Sequence, residues 1–325
     1  MSRRALSRFA VATLAVAVLA VASLFVGVGE VSLARLWTEG WSGEAGELLR
    51  ISRLPRTLAI LLAGAGMAVA GLIMQLLARN RFVEPSTAGT MESASAGLLA
   101  MMLLAPGAPV VAKMLVASLF ALCGTGLFLA ILSRVPLRSP LVVPLVGIML
   151  GGVINAATSF FAYRFDLLQS LNAWMTGDFS GVLRGRYELL WIAFALTLAA
   201  YLAADRLTLA GLGKDVSTAL GVDHGRTLVF GLVVVSLVTA AVTATVGMVP
   251  FVGLIVPNLV AMAIGDHARR AVPWVALVGA GFVLGCDMAG RIVAAPYELP
   301  VGSVVGVAGA AMFLTLLLRK RDRLG

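Results

Sequence analysis

Residues 54–78 constrain what the rest of the chain can do. They are apolar and long enough to cross a bilayer, which takes roughly 20 helical residues, yet from Ala63 to Gly71 they read AGAGMAVAG, almost entirely small side chains. A helix facing lipid gains nothing from small residues. One surrounded by other helices does, because its backbone can be approached closely. The segment therefore predicts a central helix around which further spans are arranged. Pro55 suits the first helical turn, where its missing N–H costs nothing. Arg53 and Arg56 are three apart and share a face at the membrane–water boundary. Gln75, strongly polar and near the far end of the apolar run, can be satisfied only inside a bundle.

The other apolar runs supply the surrounding spans. They fall at 9–28, 88–105, 110–133, 141–163, 187–207, 227–247, 251–266, 271–292 and 301–318, which with 54–78 makes ten membrane segments. The stretch 29–52 reads as a polar connection, 168–179 as a short re-entrant or surface helix, and 208–226 as a long polar loop. The first run, behind Arg3, Arg4 and Arg8, is long for a signal peptide and is read as a retained helix. With 60% hydrophobic and 13% charged residues, the expected fold class is an all-α polytopic membrane protein, residues 1–325 forming a single transmembrane domain. The net charge of +9 lies in short loops between apolar runs, which points to topology and not to nucleic acid. Placing both termini in the cytoplasm puts the larger share of Lys and Arg on that side, as the positive-inside rule requires.

Bond chemistry finds little purchase here. An intramembrane enzyme needs a nucleophile–base set or metal ligands, whereas ionisable residues well inside the spans are few, notably Glu92 near a loop and Asp287 with Arg291. Asp287 and Arg291 are four apart on one helix face and can neutralise each other. Cys123 and Cys286 match no metal-ligand spacing, and His224 and His267 fall in loops. Gly211–Asp215, GLGKD, lacks the spacing and hydroxyl of a phosphate-binding loop, so any ATP must be bound by another subunit. Lys214–Val222, KDVSTALGV, can form short amphipathic turns with Val216, Ala219 and Leu220 on one face, suited to a partner's groove. An ion-coupled secondary carrier, with Glu92 and Asp287 as its carboxylates, is the rival class.

From Arg53 to the carboxyl end the chain resembles the permease subunits of ABC importers for iron–siderophores, haem and cobalamin, the FecCD type. The matching stretches are RLPRTLAILLAGAGMAVAGLIMQ, NRFVEPSTAG, DLLQSLNAWMTGDFSG, STALGV, FVGLIVPN and the terminal D-x-x-x-R…ELPVG segment. Where such permeases commonly read G-L-x-x-P-H with an arginine three residues on, this chain has Asn258 and Ala261; NRFVEP replaces N-P-L-A-x-P, and MESA replaces S-N-G-A. That combination looks like the branch for catecholate-type ferric siderophores, with haem or cobalamin import as the alternative.

The resemblance implies a type II importer permease of about ten spans working as a dimer of permeases, identical or different, in the bacterial cytoplasmic (inner) membrane. Two ATPase subunits, holding ATP and magnesium, dock beneath it, and a periplasmic or lipid-anchored binding protein docks outside; no cofactor, metal or nucleic acid is implied for this chain. The coupling helix corresponds to Lys214, Asp215, Val216, Ser217, Thr218, Ala219, Leu220, Gly221 and Val222. Arg53, Arg56 and Arg291 correspond to exposed arginines that pair with carboxylates of the binding protein. The fifth span lines the pathway together with Asp166, Gln169, Ser170, Asn172, Trp174 and Met175. Asn80, Arg81, Phe82, Ser139, Pro140 and Leu141 lie near its cytoplasmic gate.

Overall fold

The computed structural model describes residues 3–27, 35, 37, 40, 41, 43–135, 142–265 and 267–321. Its elements in chain order are α1 (Arg3–Phe25), α2 (Glu44–Leu48), α3 (Leu54–Leu77), α4 (Thr90–Leu104), α5 (Val110–Leu132), α6 (Val142–Arg164), α7 (Leu168–Met175), α8 (Leu190–Leu202), α9 (Ala204–Gly211), α10 (Lys214–Ala219), α11 (His224–Val246), α12 (Val252–Ile264), α13 (Ala268–Val293) and α14 (Val301–Arg321). Six helices are long and apolar enough to cross a membrane, the bent pair α8–α9 forms a seventh candidate, and α4, α12 and Val301–Thr315 are shorter apolar helices. Together they occupy the ten places expected from the apolar runs.

The small-residue helix is central, as its composition requires. A Cβ on Gly71 would stand 2.1–2.4 Å from the backbone of Gly253 at the start of α12, and one on Gly64 would stand 2.6 Å from the carbonyl oxygen of Gly279 in α13. The two helices thus cross α3 with main chain against main chain, the arrangement that small residues permit. Ala59, Ala63, Met67, Ala70 and Met74 are buried around these crossings, and Gln75 Nε2 donates to the carbonyl of Gly253 at 3.1 Å. The last interaction satisfies the amide inside the bundle.

Two boundaries differ from those expected. The supposed polar connection is helical from Glu44, and α2 runs through a π-helical turn, Leu49–Arg53, into α3. Ala45 and Leu49 bury themselves there, and the widened turn precedes Pro55, whose ring and missing N–H do not fit a regular ladder. The run 187–207 is not one straight span either: α8 and α9 meet at 68°. The bend lays α9 across the end of the bundle, with Ala204, Leu207 and Ala210 buried and Asp205 paired with Arg269.

Candidate functional site

Arg53, Arg56 and Arg291 meet at the end of the bundle where α3 begins, with Asp287 the hub for Arg56 and Arg291. Asp287 Oδ1 accepts from Arg56 Nη2 at 2.7 Å and from Nε at 3.1 Å, while Oδ2 accepts from Arg291 Nη2. Arg56 Nη1 donates to Glu298 Oε2 at 2.5 Å. Arg291 Nη1 donates to the carbonyls of Ser23 (3.0 Å) and Val26 (2.6 Å), and Arg53 Nη1 reaches the same Val26 carbonyl at 2.8 Å. The cluster joins α1, α3, α13 and the loop 294–300.

The expectation of exposed arginines is corrected here. Arg53, Arg56 and Arg291 are 5%, 5% and 3% exposed. Burying an unpaired charge costs several kcal/mol, and this chain meets the demand with its own acceptors. The i,i+4 pairing of Asp287 with Arg291 was visible in the sequence. The larger role of Asp287, bridging to Arg56 across 231 positions, and the part of Glu298 were not. No local spacing signals a contact of that range.

At the opposite end, α10 covers Lys214–Ala219 and a turn carries the chain on to Val222. Ser217 is buried: its hydroxyl donates to the Lys214 carbonyl at 3.0 Å and lies 3.2 Å from His224 Nδ1. Val216, Ala219 and Leu220 face outward, with Val216 46% and Leu220 58% exposed, so the apolar face has no cover among the described residues. Lys214, Asp215, Thr218 and Gly221 are exposed around it. Gly213, at φ +104°, sets the entry angle, and a Cβ there would meet the Arg79 guanidinium at 2.9 Å. The entry to α10 is thereby packed against the Arg79 side chain, just beyond the end of α3.

The connection after α3 folds back into the bundle. Asn80 is buried, its Oδ1 accepting from Phe82 N–H at 2.8 Å, and Phe82 stacks edge-on against Phe313 of α14. Asn258 Nδ2 donates to the carbonyl of Arg81 at 2.8 Å. Glu84 is 0% exposed, and one of its oxygens accepts from the N–H of Phe251 at 2.8 Å and from the Ser86 hydroxyl, capping the approach to α12. Burial pushes the Glu84 carboxyl up to about 7 against hydrogen bonds that favour its charged form. Gln75, Arg79, Asn80, Arg81 and Ala261 line a cavity of about 230 Å³ beside this connection. Ser139, Pro140 and Leu141 lie outside the described residues.

α6 carries Gly152 and Asn155 on an uncovered face among large apolar side chains such as Met149, Val153 and Phe160. After it, Asp166 takes a left-handed φ of 55° and turns the chain into α7. α7 buries Leu171, half-buries Met175, and leaves Gln169, Ser170, Asn172 and Trp174 exposed, so the short segment lies over the bundle without crossing it.

A set of apolar helices arranged about one small-residue helix, with an uncovered short helix at one end, defines a multi-pass membrane protein. The chain belongs to the FecCD transport family, whose sequence profile it matches over residues 14–319. Permease protein YclN of the petrobactin import system of Bacillus subtilis (strain 168) is 45% identical over 298 residues, covering 92% of this chain and 94% of that protein. The ferric-anguibactin transport system permease protein FatD of Vibrio anguillarum is 39% identical over 296 residues, covering 91% and 94%. An inward-facing ABC transporter of metal-chelate type superposes with a TM-score of 0.81 at 25% identity, over 96% of this chain and 99% of its own.

Proposed function

We propose that the chain is the permease subunit of an ATP-driven importer that moves ferric siderophores, catecholate type, across the bacterial cytoplasmic membrane. The short helix Lys214–Ala219 carries this reading: it holds an apolar face in the open, braced from beneath by Ser217 and seated on Arg79. Burying an exposed Leu or Val is worth about 1.5–3 kcal/mol, which supports a groove on an ATPase subunit as its destination. ATP and magnesium are bound by that subunit. Nucleotide-driven closure moves α10, and through Gly213 and Arg79 the end of α3, shifting the population between inward- and outward-facing states.

Both termini are cytoplasmic in this reading, as is α10. A second permease, identical or different, covers the Gly152–Asn155 face of α6, and the pathway runs there beside Asp166, Gln169, Ser170, Asn172, Trp174 and Met175. Asn80, Arg81 and Phe82 stand near the inner gate. A binding protein docks at the outer end. There Arg53, Arg56 and Arg291 outnumber Asp287 and Glu298 by one charge, a field that favours an acidic surface without direct pairing.

Co-expression with the ATPase tests the central step. The double variant A219E/L220E is expected to reach the membrane normally and lose co-purification with the ATPase; undiminished association refutes the docking assignment. Vesicles holding this chain alone that import cargo on an ion gradient would overturn the ATP-driven reading.

A further inference from the structure

We infer that a cavity where two helices end is a binding site for a singly charged cation. The cavity holds about 210 Å³ and lies between the last turn of α7 and the last turn of α11. A helix C-terminus carries roughly half a negative charge on its outward carbonyls. The two ends meet closely: a Cβ on Gly247, just past α11, would stand 2.3 Å from the carbonyl oxygen of Trp174 and 3.0 Å from that of Thr176. Unwound carbonyls and helix C-termini are a recurring way for membrane proteins to hold monovalent cations.

The side chains add to that sign. Asp178 lines the cavity and is fixed to the end of α11 by its own N–H, which donates to the Val246 carbonyl at 2.9 Å. Its carboxylate accepts from the N–H and hydroxyl of Ser180, at 2.8 and 2.5 Å. The lining hydroxyls have already given their protons away: Thr176 to the Asn172 carbonyl at 2.8 Å, Ser180 to Asp178, and Thr245 to the Ala241 carbonyl at 2.7 Å. Each keeps only lone pairs to offer. Thr243, which also lines the cavity, is 2% exposed and its oxygen has no partner among the described residues. A buried hydroxyl in that condition costs about 1–3 kcal/mol, which a ligand in the cavity would recover. Ser236 and Thr239, on the same face of α11, are likewise buried and unmatched.

No lysine, arginine or histidine among the described residues lines the space. Trp174 brings an aromatic ring and the indole N–H, and Lys113 Nζ already lies 5.9 Å from the centre of that ring. One carboxylate with two helix ends matches a single positive charge; a calcium-like ion takes six to eight oxygens and usually several carboxylates. Two sources share this chemistry: a sodium or potassium ion from solution, or a protonated amine on the cargo. The cavity is defined without reference to transport, and only the second source rests on the transport reading.

The permease complex in lipid nanodiscs is titrated with sodium, potassium and ethylammonium chloride against a bulky tetraalkylammonium salt at constant ionic strength, following the unfolding midpoint. At least one of the three is expected to stabilise saturably, with apparent affinity falling at least tenfold in D178N. T243V, which removes one oxygen at nearly constant volume, is expected to weaken affinity at least threefold while the midpoint in the bulky salt holds or rises, since an unmatched buried hydroxyl is lost. Saturation by sodium or potassium assigns the site to the free ion, and saturation by ethylammonium alone assigns it to an amine. No saturable effect from any of the three, or the same affinity in both variants as in the parent, overturns the proposal. ATP-driven uptake, measured separately, can fail without altering this titration.

Discussion

Arg56 and Asp287 stand 231 positions apart in the chain and make a two-point contact in the interior, Nη2 and Nε of the arginine both donating to one carboxylate oxygen. The Asp287 side chain is fully buried and serves Arg291 with its other oxygen. Asp287→Asn leaves two buried guanidinium groups without their shared anion. Removing one member of a buried ion pair costs about 3–5 kcal/mol. Denaturant titration in detergent should show a loss of that size for Asp287→Asn and a clearly smaller one for Glu298→Gln, whose side chain is 22% exposed. Equal losses would contradict the hub role.

The crossings of α3 make a steric prediction. Gly71→Ala puts a methyl within 2.1–2.4 Å of the Gly253 main chain, where no side chain can yield. Folded protein in the membrane should fall severalfold. Gly285→Ala, with nothing within 4 Å of the added carbon, should be neutral or more stable by up to about 1 kcal/mol. Membrane-fraction yield and thermal midpoint check both.

Glu84 predicts a pH dependence. Its carboxyl is raised from 4.5 to about 7 by burial, so the folded chain holds this proton more tightly than the unfolded chain does. The corresponding stability is complete below about 4.5 and is lost as pH rises through 7, a change of roughly 3 kcal/mol by linkage. Thermal midpoints of the parent should therefore decline from pH 5 to 7 more steeply than those of Glu84→Gln. Parallel curves would remove Glu84 as the source.

Ser217 predicts a split between fold and coupling. Ser217→Ala removes the contacts to Lys214 and His224 under α10, worth about 1 kcal/mol together with local order. Expression should be nearly unchanged while ATPase stimulation in the assembled complex falls; unaltered stimulation would show that α10 needs no brace.

The spans were legible because a bilayer imposes one rule, an apolar run of fixed length, that single residues such as Pro106 or Arg134 visibly interrupt. The centrality of α3 was legible for a related reason, since Ala63–Gly71 makes sense only against other backbones. Glu44–Arg53 escaped because its four charged residues conceal the few, Ala45 and Leu49, that bury. Arg53, Arg56 and Arg291 were expected to be exposed and are buried. Apart from the i,i+4 pair Asp287–Arg291, the acceptors seen among the described residues lie far off in the chain, and two of them, the carbonyls of Ser23 and Val26, are main-chain atoms that no sequence pattern can display.

Asn155, midway along α6, has consequences before any cargo is moved. On the proposed reading, in which a second permease covers this face, a copy that fails to find a mate presents a bare amide to the fatty tails of the bilayer. Solitary copies should turn over faster than assembled ones in pulse-chase labelling, and Asn155→Leu should lengthen their lifetime. The bilayer itself would then police how many halves are kept.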